Sequence, residues 1–318
     1  MTTMQQINQE ALIRHLCVVK EYWGQFGGLH DTEANYSSSI DVAIETDLRE
    51  QLWQINPSFG FVGEELENKP GSPFWLVDPR DGTAVAELGG RYWSSVVALV
   101  HSEDSSVPFV SVYQPGTLDH FIHEFDRAPF VERTVLVPSP TSAGSPPSMQ
   151  RVRFALSPSI TSFLGDMHGC AYMPSSDRER MPEVNNRLKG LFREVTFPVG
   201  SKSRPYGACD VKPGSGSASL MACKVADGTH DFHILFGQGA YDSPGFVIAQ
   251  HAGCVVRCGQ GDQWDESSDI ETLIASSEKT DKINVAVFAN QQQYELIKFL
   301  YKNPSVVDAK EIPGAMPA

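Results

Sequence analysis

The chain has 318 residues, 41% of them hydrophobic and 20% charged, with a formal net charge of −14. That length buries a sizeable core in one large or two medium domains, while so acidic a surface repels nucleic acid phosphates and no basic face reverses it. No run of 18 or more apolar residues marks a membrane span, and the polar stretch Met1 to Glu10 lacks the basic start and apolar middle of a secretory signal. The expectation is a cytoplasmic protein that meets neither membrane nor nucleic acid.

Apolar positions at Ile7, Leu12, Leu16, Val19, Tyr22 and Trp23 give a helical period from about Gln5 to Phe26, ending at Gly27-Gly28. A polar loop through Tyr36-Ser37-Ser38-Ser39 is expected next. Asp41 to Gln54 then reads as a helix, with Ile44, Leu48 and Leu52 spaced by four and Asn56-Pro57 as its stop. Phe59 to Val62 and Phe74 to Val77 are short apolar strands. Trp93 to Val100, Phe109 to Tyr113 and His120 to Glu124 follow as β-type runs between turn residues, the pattern of an antiparallel sheet. The Pro-, Ser- and Gly-rich segment Pro138 to Met149 reads as a linker or long surface loop. It divides the chain into an α+β domain over 1–140, holding most candidate ligands, and an α/β domain over 150–318.

In the second half, Val152 to Leu156 is expected as a strand and Pro182 to Phe192 as a helix. A small-residue helix is expected from Ser217 to Ala226, a strand from Phe232 to Phe236 and a helix from Asp242 to Ala252. Cys254 to Arg257 and Asn284 to Ala289 read as strands and Gln291 to Tyr301 as the last helix. Alternating strands and helices argue for an α/β sheet. The six cysteines are scattered and read as free thiols, Cys254 and Cys258 as buried ones. His120 with His123, and His230 with His233, have a spacing that puts each pair on opposite faces of a strand, so structural histidines are expected.

Three segments carry chemistry. Gly63-Glu64-Glu65 follows one strand directly, Asp78-Pro79-Arg80-Asp81-Gly82-Thr83 follows the next, and Tyr241-Asp242 opens a helix. Strands that end in acidic residues hold carboxylates at a sheet's rim. Gathering several of them costs like-charge repulsion unless a cation sits among them. All-oxygen ligands suit Mg²⁺, and the backbone N–H groups of Gly82 and Thr83 at a helix start suit a phosphate. Singly, Asp81-Gly82 is a turn signal, Asp242 a helix cap and Glu64-Glu65 solvated surface. Together they point to phosphoryl hydrolysis.

In this order the three motifs resemble the inositol monophosphatase family, grouped with the fructose-1,6-bisphosphatases and the 3′-phosphoadenosine phosphatases, which are Mg²⁺-dependent and lithium-sensitive. The resemblance covers most of the chain and implies a layered α-β-α-β-α sandwich. It implies two or three Mg²⁺, with Glu64, Asp78 and the backbone carbonyl of Arg80 on the first and Asp78, Asp81 and Asp242 on the second. Thr83 orients the attacking water, assisted by Asp41, with Asp47 as the alternative register; Gly82 and Thr83 hold the phosphate. Gly216, Ser217 and Ala218 resemble the segment lining the substrate side, and Asp231 matches a family aspartate nearby. A homodimer is a common family state.

Departures from the pattern bear on the substrate. Leu235 stands where inositol monophosphatases carry a Glu that binds a ring hydroxyl, and an unpaired hydroxyl costs about 1–3 kcal/mol. Arg80 replaces an aliphatic residue and Tyr241 a Trp. The segment Ser201 to Pro213 reads as an insertion whose Lys202 and Arg204 can meet a second negative group. The expectation is a phosphomonoesterase for a sugar or polyol phosphate, or a bisphosphate. The alternatives are a 3′(2′),5′-bisphosphate nucleotidase and a non-catalytic binding member of the fold.

Overall fold

A computed structural model describes residues 3–26, 35–87, 90–137, 148–160, 167, 169–173, 179–191, 194–195, 204–205, 216–267, 269–278 and 281–303. The first layer is α1 (Met4–Phe26) against α2 (Asn35–Ile55). Their stripes, Ile7, Ala11 and Val18 from one and Ile44, Leu48 and Leu52 from the other, are buried together. The helix α2 starts at Asn35, so the expected loop at Tyr36–Ser39 is helical, and Asp41 sits inside the helix instead of capping it. Burial of the Ile44 face against α1 outweighs the weak helix preference of three serines.

The second layer is a sheet of seven strands in sequential order: β1 (Gly60–Gly63), β2 (Phe74–Asp81), β3 (Ser94–His101), β4 (Ser106–Gln114), β5 (Asp119–Glu124), β6 (Phe130–Val137) and β7 (Ser148–Ala155). The pair β1–β2 is parallel and every other pairing in it is antiparallel. Period-two alternation sorts the side chains. Trp75, Val77, Val97, Leu99 and Phe109 face α1 and α2, while Leu76, Val96, Ala98, Val100, Val110 and Val112 face the opposite way. The strand expected at Val152–Leu156 is this β7, paired with β6 at the edge of the first sheet. β7 also takes in the last two residues of the segment read as a linker, of which 138–147 lie outside the described residues.

A middle layer holds α5 (Ala218–Ala226) and α6 (Pro244–His251), with α7 (Ile270–Ser276) beside them; a short helix α3 (Thr83–Glu87) precedes these in the chain and α4 (Pro182–Gly190) lies beyond. Every residue of α5 is buried, as expected for a small-residue helix between two sheets. The second sheet runs β12 (Val255–Gly259), β13 (Ile283–Phe288), β11 (Phe232–Gln238), β8 (Gly169–Tyr172), and a two-residue pair β9 (Glu194–Val195) and β10 (Arg204–Pro205) stands apart. Leu235, Val256, Val285 and Val287 face α5 and α6. Ile234, Phe236, Ala286 and Phe288 face α4 and the outermost helix α8 (Gln291–Lys302). The order helices, sheet, helices, sheet, helices is the five-layer sandwich. No helix among the described residues is long and apolar enough to cross a membrane.

The described cysteines are free, with Cys254 and Cys258 buried. The histidine pair at 230 and 233 corrects the sequence reading. His230 precedes β11, and its Nδ1 lies 2.8 Å from His233 Nε2, so the two rings meet instead of facing apart. His120 is fully buried, its Nε2 2.7 Å from Ser111 Oγ, and that oxygen also meets His15 Nδ1 at 2.7 Å.

Candidate metal and phosphate site

Each acidic side chain arrives from a chain segment with little freedom to move. Glu64 lies just past β1. The Glu45 carboxylate of α2 fixes its turn by accepting the N–H groups of Glu65 at 2.9 Å and Leu66 at 2.8 Å. A Cβ at Gly63 would stand 2.0 Å from a Glu45 oxygen, so a larger residue here would displace the carboxylate that holds this turn. Asp78 and Asp81 end β2, where the register with β3 shifts between them. That irregularity lets both carboxylates point the same way although they are three residues apart. Asp242 follows the turn Gly239–Tyr241, and the Gly239 N–H donates to its Oδ2 at 2.6 Å. The helix α6 begins only at Pro244, after Ser243, so Asp242 is not its cap.

Asp81 is held from the other sheet's side. It sits at the N-terminus of α5, where the Ser217 hydroxyl and the N–H groups of Ala218 (2.9 Å) and Ser219 (2.8 Å) donate to it. Three donors and the positive end of a helix are what a buried carboxylate requires. Ser217 also caps α5 through the Leu220 N–H at 2.8 Å and meets Ser94 Oγ at 2.7 Å. Sequence reasoning put Gly216–Ala218 on the substrate side; Gly216 and Ala218 do line the cleft, while Ser217 turns inward to Asp81. Ser219 was missed. Its hydroxyl donates to the Asp242 carbonyl at 2.8 Å and accepts the Gly245 N–H at 2.9 Å, tying the starts of α5 and α6 together.

Glu64, Asp78, Asp81 and Asp242 converge on one cleft of about 210 Å³, with Arg80, Gly82, Thr83, Val85, Tyr172, Met221, Leu235 and Gln238 among its other walls. One oxygen each of Asp78, Asp81 and Asp242 lies within 4.8 Å of the others. Burial raises all four, and neighbouring carboxylates add to it at three of them: Glu64 rises to about 8 and Asp78 and Asp81 well above the usual carboxylate range. Asp242 is raised by burial against the lowering effect of its hydrogen bonds with Asp78 and the Gly239 N–H. The Arg80 N–H reaches Asp78 Oδ1 at 2.9 Å, whereas Asp78 Oδ2 is buried with no protein donor directed at it. An all-oxygen set with an orphaned, fully buried oxygen fits a hard divalent cation. Among the described residues nothing replaces one at that oxygen.

Asp41, on α2, is brought to this rim by the Arg80 side chain, with Nε 2.7 Å from Oδ1 and Nη2 3.0 Å from Oδ2. Asp47 points elsewhere and accepts from Tyr22 of α1 at 2.5 Å. The Thr83 hydroxyl donates to the Arg80 carbonyl at 2.9 Å, so Arg80 stands between Thr83 and Asp41, which sequence reasoning paired. Leu235 lines the cleft as expected. Asp231 accepts from Gln293 of α8 at 2.9 Å and is not among the cleft residues. Lys202 lies outside the described residues; Arg204 is described only as backbone in β10.

No family model matches the chain. It is 33% identical to the inositol-1-monophosphatase of Rhizobium meliloti over 87 residues, 26% of this chain and 32% of that enzyme, so this match spans about a third of the relative. It is 24% identical to inositol monophosphatase 2 of Saccharomyces cerevisiae over 269 residues, 81% of this chain and 82% of that one. Among solved structures, Mycobacterium tuberculosis SuhB superposes with a TM-score of 0.65 at 17% identity, covering 96% of this chain and 99% of that one, which shows a shared fold.

Proposed function

We propose that the chain is a Mg²⁺-dependent phosphomonoesterase of the inositol monophosphatase-like family, acting on a small phosphorylated metabolite, a reading supported by its similarity to inositol monophosphatase 2 and by the fold it shares with SuhB. The convergence of Glu64, Asp78, Asp81 and Asp242 on one cleft beside Gly82 and Thr83 carries this reading. Four carboxylates held together by burial and a helix N-terminus remain ionised together only around a divalent cation. Bound there, Mg²⁺ supplies a polarised phosphoryl oxygen and an acidified water.

The chain's own residues do the remaining work. Asp78, at the centre of the cluster, and Asp81, clamped by α5, present ligand oxygens, with Glu64 and Asp242 completing the set from the two flanking turns. The first N–H groups of α3 have no acceptor within their helix, and Gly82 and Thr83, which line the cleft, offer theirs as the phosphate contacts. Thr83 Oγ1, now donating to the Arg80 carbonyl, is the hydroxyl placed to orient an incoming water. Glu64, half-buried at the edge of the cleft, serves as proton acceptor. Val85, Tyr172, Met221 and Leu235 give the leaving-group side an apolar wall, broken by Gln238. That wall favours an alcohol with an apolar face over a bare polyol. Cytoplasmic residence, inhibition by Li⁺ and a homodimer belong to the same reading.

The test is phosphate release from a panel of phosphomonoesters, with Mg²⁺ and with chelator, by the native chain and by Asp78→Asn. The expected result is Mg²⁺-dependent release from one or a few compounds, lost in the variant although it stays folded. Release that persists in chelator would overturn the reading.

A further inference from the structure

A cavity of about 470 Å³, more than twice the volume of the acidic cleft, opens where the start of β4 and the turn after β5 meet the end of α6 and the first turn of α7. The two share no lining residue. His123 of β5, only 4% exposed, stacks its ring on that of His251, the last residue of α6, with centroids 4.1 Å apart and planes 19° from parallel. Glu271 holds the pair from α7. One of its oxygens meets His251 Nε2 at 3.0 Å, and the other accepts the Val107 N–H of β4 at 2.7 Å. Burial first, and then the charge of His251, pushes His123 down to about 4, so its ring is neutral at physiological pH. Its Nδ1 is buried with no hydrogen-bond partner, and buried polar atoms are seldom left so.

The walls discriminate between ligand classes. Stacked imidazoles keep their nitrogens in nearly parallel planes, which a single metal ion cannot bridge. Among the described residues, the ligand atoms close enough to share an ion are those of Asp78, Asp81 and Asp242. An anion would meet Glu271 and Asp126, while the Arg127 guanidinium is drawn away to Glu124 at 2.8 Å. An organic cation would have to take Glu271 from His251 and from the Val107 N–H. A flat, uncharged ring meets none of these obstacles. Val107, Pro108, Ala128 and the 61% exposed Phe125 give it apolar and aromatic surface, and a neutral imidazole nitrogen without a partner accepts an N–H. We propose that this cavity is a second binding site, for an uncharged planar heterocycle carrying an N–H donor, the chemistry of a purine base. The site stands apart from the acidic cleft and does not depend on the metal-dependent reading above.

The probe is adenine, and saturation-transfer NMR follows its binding to the full chain. Cyclohexanol serves as a ring of similar bulk that is neither flat nor an N–H donor; folding is checked by circular dichroism. Adenine is expected to bind with a Kd of about 1 mM, and cyclohexanol about tenfold more weakly or not at all. Phe125→Ala, at an exposed position, should weaken adenine about tenfold by removing a stacking surface. His123→Leu should weaken it as much, and Asp78→Asn in the acidic cleft should leave it unchanged. No saturable adenine binding, cyclohexanol bound as tightly as adenine, or adenine binding lost in Asp78→Asn would each overturn the site. Native affinity in either folded cavity variant would do the same. Should His123→Leu fail to fold, Phe125→Ala decides the matter.

Discussion

Removing divalent cations should make this protein lose stability as pH rises, the reverse of the usual behaviour of buried carboxylates in ion pairs. Glu64 is pushed from the ordinary value of 4.5 to about 8, by burial first and then by Asp242, Glu65 and Asp41. Between about pH 5.5 and pH 8 the folded, metal-free chain keeps a proton on Glu64 that the unfolded chain has released. The folded state binds more protons across that window, so its stability falls on the way up. Integrated over the window, one such group is worth about 3 kcal/mol, or a fall in Tm of about 5 °C for a chain of this size. Asp78, Asp81 and Asp242, raised in the same direction, steepen the fall. Excess Mg²⁺ takes the place of those protons, so the same comparison in Mg²⁺ should show a flatter profile, with its greatest gain in Tm over chelator at pH 8. Differential scanning fluorimetry at the two pH values, in chelator and in Mg²⁺, reads this directly. A chelated protein as stable at pH 8 as at pH 5.5 would refute the argument that four unneutralised carboxylates are buried together.

Three further outcomes are expected. Gly245→Ala places a Cβ 2.1 Å from the Ser219 carbonyl oxygen, forcing α5 and α6 apart; thermal unfolding should show a loss of about 1–3 kcal/mol. Ser217→Ala removes the cap of α5 and a donor to Asp81, and urea unfolding should report about 1–2 kcal/mol. Leu235→Glu sets an acceptor in the apolar wall, so kcat/KM for a polyol phosphate, relative to an alkyl phosphate, should rise about tenfold; an unchanged ratio would take Leu235 out of substrate selection.

The parts of the site legible in the sequence are those whose signal is local. Gly63-Glu64 and Asp78 to Thr83 each follow a short apolar run that reads as a strand; the chain order of strands and helices carried an antiparallel sheet and then an α/β half, and the family resemblance supplied the layered sandwich. What escaped is what depends on distant contact. β6 hides its alternation because consecutive Glu132 and Arg133 put a charge on each face of the strand, Glu132 pairing with Arg153 of β7 and Arg133 with Asp227 at the end of α5. β8 is four residues long and owes its existence to pairing with β11. The start of α2 was misplaced since serines are poor helix formers until a buried face pays for them. The Arg80–Asp41 contact spans 39 positions, and Ser219 looks like any small residue in a small-residue helix. One missed element did carry a signal: Asp269 caps α7 by accepting the Thr272 N–H at 3.0 Å, an Asp before an apolar run.

The clamp on Asp81 has a consequence for how this site can be probed. That carboxylate anchors the first turn of a helix that begins 137 positions further along the chain, so it is a structural rivet joining the first sheet to the middle layer as much as it is a candidate ligand. Substitutions at Asp81 will therefore confound two losses, of fold and of ion. Asp78 takes one backbone donor from its own turn and leaves its second oxygen without any. Its removal should leave the layers joined and change only what the cleft can hold, which makes Asp78 the informative position and Asp81 the ambiguous one.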